Sequence, residues 1–119
     1  MRKHLGDLGE EIAARHLKAL GYRIVERNYR CRLGEIDCVA VKGNTLVFLE
    51  VKSRQSARYG GPVEAVDRRK RRKMTRLARY YALQKAVHDV PQRFDVVAVW
   101  FVDGEPRIEV YENAFEAED

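Results

Sequence analysis

Apolar side chains in the first twenty residues recur at positions 5, 8, 12, 13, 17 and 20. This spacing returns to one face of a helix at every turn, and it predicts an α-helix from Leu5 to Leu20 that stops at Gly21. Beyond it the character of the chain changes. Tyr22 to Tyr29, Glu35 to Val41 and Thr45 to Val51 are rich in β-branched and aromatic residues and predict three strands. The polar, arginine-rich stretch Asn28 to Gly34 lies between the first two, and Gly43-Asn44 predicts a tight hairpin between the second and third.

A loop from Ser53 to Gly61 follows, then Pro62, which suits the first turn of a helix running to about His88. Its apolar stripe is Val63, Val66, Met74, Leu77 and Tyr81, and Lys70 sits on the same stripe, four residues from Val66 and from Met74. Phe94 to Phe101 and Arg107 to Tyr111 read as two further strands joined at Asp103-Gly104, and the acidic tail after Glu112 is expected to fray. The order is αβββαββ. A chain of 119 residues without repeats or a long linker then predicts one α/β domain.

A two-residue turn at Gly43-Asn44 pairs Lys42 with Thr45, and counting outward sets Asp37 opposite Glu50 and Glu35 opposite Lys52. Alternation places Asp37, Val39 and Val41 on one face with Leu46, Phe48, Glu50 and Lys52. Ile36, Cys38, Ala40, Val47, Leu49 and Val51 share the other. Both faces are apolar except at one end, so the hairpin is expected at the centre of a sheet covered on both sides. Opposed carboxylates have Cβ atoms only ~5 Å apart and repel when shielded from water. A divalent cation such as Mg²⁺, held by the two acids and a backbone carbonyl such as that of Val51, would remove the repulsion and keep waters for attack on a phosphodiester. Lys52, on the same face, would reach charge developing on the phosphoryl oxygens. A local ion network in which Lys52 neutralises the acids fits the same spacing.

Charge adds a partner class. The net charge is +5, yet residues 1 to 102 carry 22 Lys and Arg against 11 Asp and Glu, because the last seventeen residues hold seven acids and one arginine. A body this basic calls for a polyanionic partner. From Arg68 to Arg79 eight of twelve residues are basic and none is acidic, and a phosphate backbone would relieve the i, i+4 repulsion along such a helix. Arg30, Arg32, Arg54 and Arg58 flank the acid pair and could make further sequence-blind contacts. Cys31 and Cys38 lack the spacing of a zinc or redox motif, and Cys38 reads as a small core residue. No apolar run approaches the length of a membrane span and no signal-peptide core is present, so a cytoplasmic protein without a membrane partner is expected.

Gly34-Glu35-Ile36-Asp37 followed by Val47-Phe48-Leu49-Glu50-Val51-Lys52 resembles the PD-(D/E)-x-K signature of restriction-endonuclease-like nucleases, with Ile36 where the proline would stand. Together with Gly6-x-x-Gly9-Glu10, Glu64-Ala65-Val66 with Lys70, and Arg93-Phe94-Asp95, these segments resemble the YraN family of bacterial proteins. The resemblance implies a restriction-endonuclease-like αβββαβ core with a central mixed sheet flanked by helices. It further implies a Mg²⁺- or Mn²⁺-dependent nuclease, with Asp37 and Glu50 as metal ligands and Lys52 as the catalytic lysine. Glu10 would complete the site from the first helix, with Gly6-x-x-Gly9 allowing close packing there. Lys70, Arg71 and Lys73 join Arg32, Arg54 and Arg58 as candidate contacts to nucleic acid, DNA being favoured. A homodimer is suggested only by analogy with junction resolvases of similar size. A non-catalytic nucleic-acid-binding module and a protein-interaction domain using the acidic tail are the competing readings. Asp95 reads as a strand-end or supporting acid rather than a ligand, Tyr80, Tyr81 and Trp100 as core, and His4, His16 and His88 as bystanders.

Overall fold

A computed structural model describes residues 5–54, 66–87 and 89–118. The elements run α1 (Leu5–Ala19), β1 (Arg23–Cys31), β2 (Gly34–Lys42), β3 (Thr45–Ser53), α2 (Arg68–Lys85), β4 (Gln92–Val102) and β5 (Glu105–Phe115). The αβββαββ order expected from the sequence is the observed one. Five strands form a single mixed sheet in the order β1-β2-β3-β4-β5, antiparallel except where β3 and β4 run parallel. This is an α/β architecture consistent with a restriction-endonuclease-like core.

Each face of the sheet has its own hydrophobic cluster. Ala13, Leu17 and Tyr22 pack with Cys38, Ala40, Val47, Leu49, Val97 and Val99 on the α1 side. Met74, Leu77, Ala78 and Tyr81 pack with Tyr29, Ile36, Val39, Leu46, Phe48 and Phe94 on the α2 side. With β3 at the centre, Val47, Phe48 and Leu49 lose all exposure, as a strand covered on both faces must. The outer strands are charged: β1 carries Arg23, Glu26, Arg27 and Arg30, and β5 carries Glu105, Pro106, Arg107 and Glu109, which discourages edge pairing with other chains.

Four expectations are corrected. Helix α2 begins at Arg68, where the Asp67 side chain accepts the Lys70 N–H, so Val66 precedes the helix; Pro62 and Val63 lie outside the described residues. The arginine-rich stretch after Asn28 is largely strand, with only Arg32 and Leu33 left as a turn. The tail does not fray at Glu112. Strand β5 continues to Phe115, and Glu118 docks on α2 through its N–H to the Thr75 hydroxyl and its carboxylate to Arg68 and Arg71.

The fourth correction bears on the site. Ile36 was expected on the Cys38 face, yet it packs on the α2 side while Cys38 packs on the α1 side. Strand alternation breaks between them, at Asp37. The β1–β2 ladder passes from Arg27–Cys38 to Tyr29–Ile36 and skips the facing pair Asn28 and Asp37. Asn28 has φ +54°, a left-handed backbone that asparagine tolerates better than most residues. Such irregularities re-aim a side chain, and here the one re-aimed is an acid.

Candidate functional site

The hairpin register counted from Gly43-Asn44 holds from Lys42–Thr45 to Cys38–Leu49, and the ladder ends there. Asp37 and Glu50 would have been the next pair. Instead the strands part, and the Asp37 carboxylate takes the Val51 N–H at 2.8 Å. Glu35, expected opposite Lys52, pairs across β1 with Arg30 at 3.0 Å.

Glu50 is buried, and both of its oxygens face lysines: Lys52 Nζ lies 3.5 Å from Oε1 and Lys70 Nζ lies 3.5 Å from Oε2. Lys70 therefore reaches the acids from α2, as its place on the apolar stripe allowed. Burial first, and then the charge of Glu50, push the Asp37 carboxyl up to about 7. Glu10 adds to the rise, while the Val51 N–H and Lys70 oppose it. Glu10 is half-buried, and its own carboxyl is raised by desolvation and then by Asp7 and Glu35.

Gly9 explains how α1 brings Glu10 in. A Cβ at residue 9 would come within 1.8 Å of Ser53 Oγ, so only glycine lets the helix lie this close to the end of β3. Ser53 Oγ beneath it is buried, with no hydrogen-bond partner among the described residues. The site is thus built from α1, the ends of β2 and β3, and α2, four elements meeting where the central hairpin opens.

Asp37 and Glu50 suit a hard divalent cation that keeps several waters, since such a cation would offset the burial and the Glu50 charge that raise the Asp37 carboxyl. They do not make a dry cage. Among the described residues no three acidic, histidine or cysteine side chains gather closely enough to hold a metal alone. The Val51 N–H is committed to Asp37, whereas its carbonyl was the expected ligand.

The expected nucleic-acid contacts fall in different places. Arg32 is exposed in the β1–β2 turn, and Arg54 is exposed just past β3, with its Nη1 on the Ser53 carbonyl at 3.1 Å. Lys73 is exposed beside Gly34, where a Cβ would meet Lys73 Cε at 2.8 Å. Arg71 is held within the chain by Glu118 and by the Val66 carbonyl. Arg58 lies outside the described residues.

Sequence reasoning took Asp95 as a strand-end or supporting acid and did not find its partners. It is fully buried and accepts hydrogen bonds from Tyr22 Oη at 2.7 Å, Arg93 Nε at 3.0 Å, Arg93 Nη2 at 3.2 Å and the Asn113 N–H at 2.8 Å. The β4–β5 register shifts at this point, and Asn113 has φ +51°. Burial and the Asp95 carboxylate drive the Tyr22 hydroxyl well above its ordinary range. An arginine two residues before an acid in an otherwise apolar strand was the available signal. The cluster ties α1's exit to β4 and β5 and lies on no part of the acid pair.

Comparison with known proteins places these residues in a family. The profile described as uncharacterised protein family UPF0102 matches residues 9–99. A UPF0102 protein of Moorella thermoacetica is 50% identical over 117 residues, covering 96% of this chain and 97% of its own. A UPF0102 protein of Geobacter sulfurreducens is 49% identical over 115 residues, covering 96% and 90%. One of Symbiobacterium thermophilum is 48% identical over 118 residues, covering 98% and 100%.

Proposed function

The chain belongs to uncharacterised protein family UPF0102, the YraN family, and from that footing we propose that it is a metal-dependent nuclease acting on DNA, with branched or structured forms favoured. The observation that carries the reading is the Asp37–Glu50 pair at the opened end of a central hairpin, with Lys52 and Lys70 converging on it. A core strand end has no structural need for a second acid beside Glu50 whose carboxyl is raised both by burial and by the Glu50 charge. In this reading Asp37 and Glu50 would hold Mg²⁺ or Mn²⁺ with the Val51 carbonyl, and Glu10, expected as a further ligand, would add only its charge from α1. The bound cation supplies Lewis-acid stabilisation and an acidified water.

The remaining work belongs to the chain. Lys52 offers its ammonium to phosphoryl oxygens, whose charge grows in the transition state. Lys70 holds Glu50 in place and limits the repulsion between the acids. Exposed cations at Arg32, Arg54 and Lys73 offer phosphate contacts that fix position without reading sequence.

A second reading has its own support. Each oxygen of Glu50 already faces a lysine, so the acid's charge is offset inside the chain as in a structural ion network. That favours a non-catalytic nucleic-acid-binding module. The deciding experiment incubates the protein with labelled single-stranded, duplex, flap and four-way-junction DNA, and with RNA, in Mn²⁺, Mg²⁺ or EDTA. Cleavage is expected only with metal, and Asp37→Ala and Lys52→Ala should each lose at least about a hundredfold. Salt-sensitive binding without cleavage by folded, metal-supplied protein would instead support the binding module.

A further inference from the structure

Outside the acid site, a groove of about 430 Å³ runs between α2 and the β1–β2 turn, lined by Leu33, Arg68, Arg69, Arg72, Lys73 and Arg76. Five of these six side chains are cationic. Arg72 Nε is buried with no hydrogen-bond partner among the described residues. A guanidinium nitrogen withdrawn from water and left unpaired costs free energy, which a turn of the Arg72 side chain onto an anion in the groove would recover. Lys73 is kept against the groove wall by the space that Gly34, at φ +137°, leaves for its stem. One anion already stands at the rim: the Glu118 carboxylate lies 3.4 Å from Arg68 Nε.

The dimensions select among anions. Arg68 to Arg76 covers eight helical steps, about 12 Å, longer than any single phosphate group and enough for two or three consecutive phosphates of one strand. The opposite wall contributes Leu33, a large apolar side chain left 42% exposed. Cations on one wall and an apolar side chain on the other match a sugar–phosphate backbone on one side and sugar or base on the other.

We infer that this groove binds one strand of a nucleic acid, with Arg69, Arg72 and Arg76 on its phosphates and Leu33 against a sugar or base. The inference rests on the nucleic-acid reading above and adds the surface that holds the strand. It makes Arg72 and Arg76 binding residues and leaves chemistry to the acids beside Lys70.

The test is fluorescence anisotropy of a labelled twelve-residue oligothymidine in EDTA, titrated with the full chain from 50 to 300 mM NaCl. Arg72→Gln/Arg76→Gln should bind about tenfold more weakly, and its slope of log affinity against log salt should fall by about 1.4, two single-strand phosphate contacts. Arg69→Gln/Arg76→Gln, altering two exposed side chains, repeats the test without touching the buried guanidinium. Wild-type affinity and slope in both folded variants, or no binding by the wild type, would overturn the groove. Displacement of the oligonucleotide by submillimolar inorganic phosphate would also overturn it, in favour of a pocket for one phosphate. Groove-dependent binding without cleavage would remove the nuclease and leave the groove, whereas metal-dependent cleavage with unaffected groove variants would do the reverse.

Discussion

Ionising Asp37 costs the folded protein free energy that the open chain does not face. Its carboxyl titrates at about 7 in the fold against an ordinary 3.8, so between those values the folded state holds a proton the unfolded state has released. The corresponding stability is complete below pH 4 and is lost as pH rises toward 7. Asp37→Asn should therefore raise Tm at pH 8 in EDTA, with a gain of ~1–2 kcal/mol that shrinks toward nothing by pH 4. A gain equal at both pH values in thermal melts would assign it to something other than charge. Asp95 is a different case, because Arg93, Tyr22 and the Asn113 N–H all donate to its carboxylate. Asp95→Ala strands those donors and should cost about 3–5 kcal/mol in urea unfolding; a loss below about 1 kcal/mol would show that water replaces the acid easily. The two aspartates look alike in sequence. Asp37 could be read because a hairpin turn and residue counting set it against Glu50, whereas Asp95's donors come from positions 22, 93 and 113, which no local pattern connects.

Among the elements, α1 is placed by one missing side chain. Gly9→Ala puts a methyl group into Ser53 and must push the helix outward, with a stability cost of about 1–3 kcal/mol. Because Glu10 rides on the same turn, metal-dependent cleavage should fall further than Tm does, and rates compared well below the melting temperature separate the two. Equal activity in a folded Gly9→Ala protein would take Glu10 out of the site. Helix α2 begins with the Asp67 side chain on the Lys70 N–H, and Asp67→Ala should cost ~1 kcal/mol through loss of that cap. The strands and both helices were legible because their apolar periodicities differ. The turnover of β2 at Asp37 was not, since it depends on a left-handed asparagine in the neighbouring strand, and Ile36 was misplaced for that reason.

At the scale of the molecule, a basic body is partly covered by its own acidic end. Glu118 sits on Arg68 and Arg71, and those arginines hold its carboxyl below the usual range. Glu118→Gln should strengthen oligonucleotide binding about two- to fivefold at 50 mM NaCl, with the gain fading by 300 mM as screening shortens the reach of charge. No change at low salt would mean that the tail and the ligand use different arginines. The overall charge asymmetry was visible in composition, but the docking of the tail was not, because acidic residues after a last strand read equally as a solvated end.

The parallel pairing of β3 with β4 joins residues as far apart as Leu46 and Gln92, with all of α2 between them. A ribosome making this chain emits the β2–β3 hairpin, with Asp37, Glu50 and Lys52 in place, well before Lys70 and the strand that flanks Glu50 exist. Pairing across that separation is slow and comes late. The acids are thus synthesised early and assembled late, so whatever chemistry they perform waits for α2 and β4 to be made.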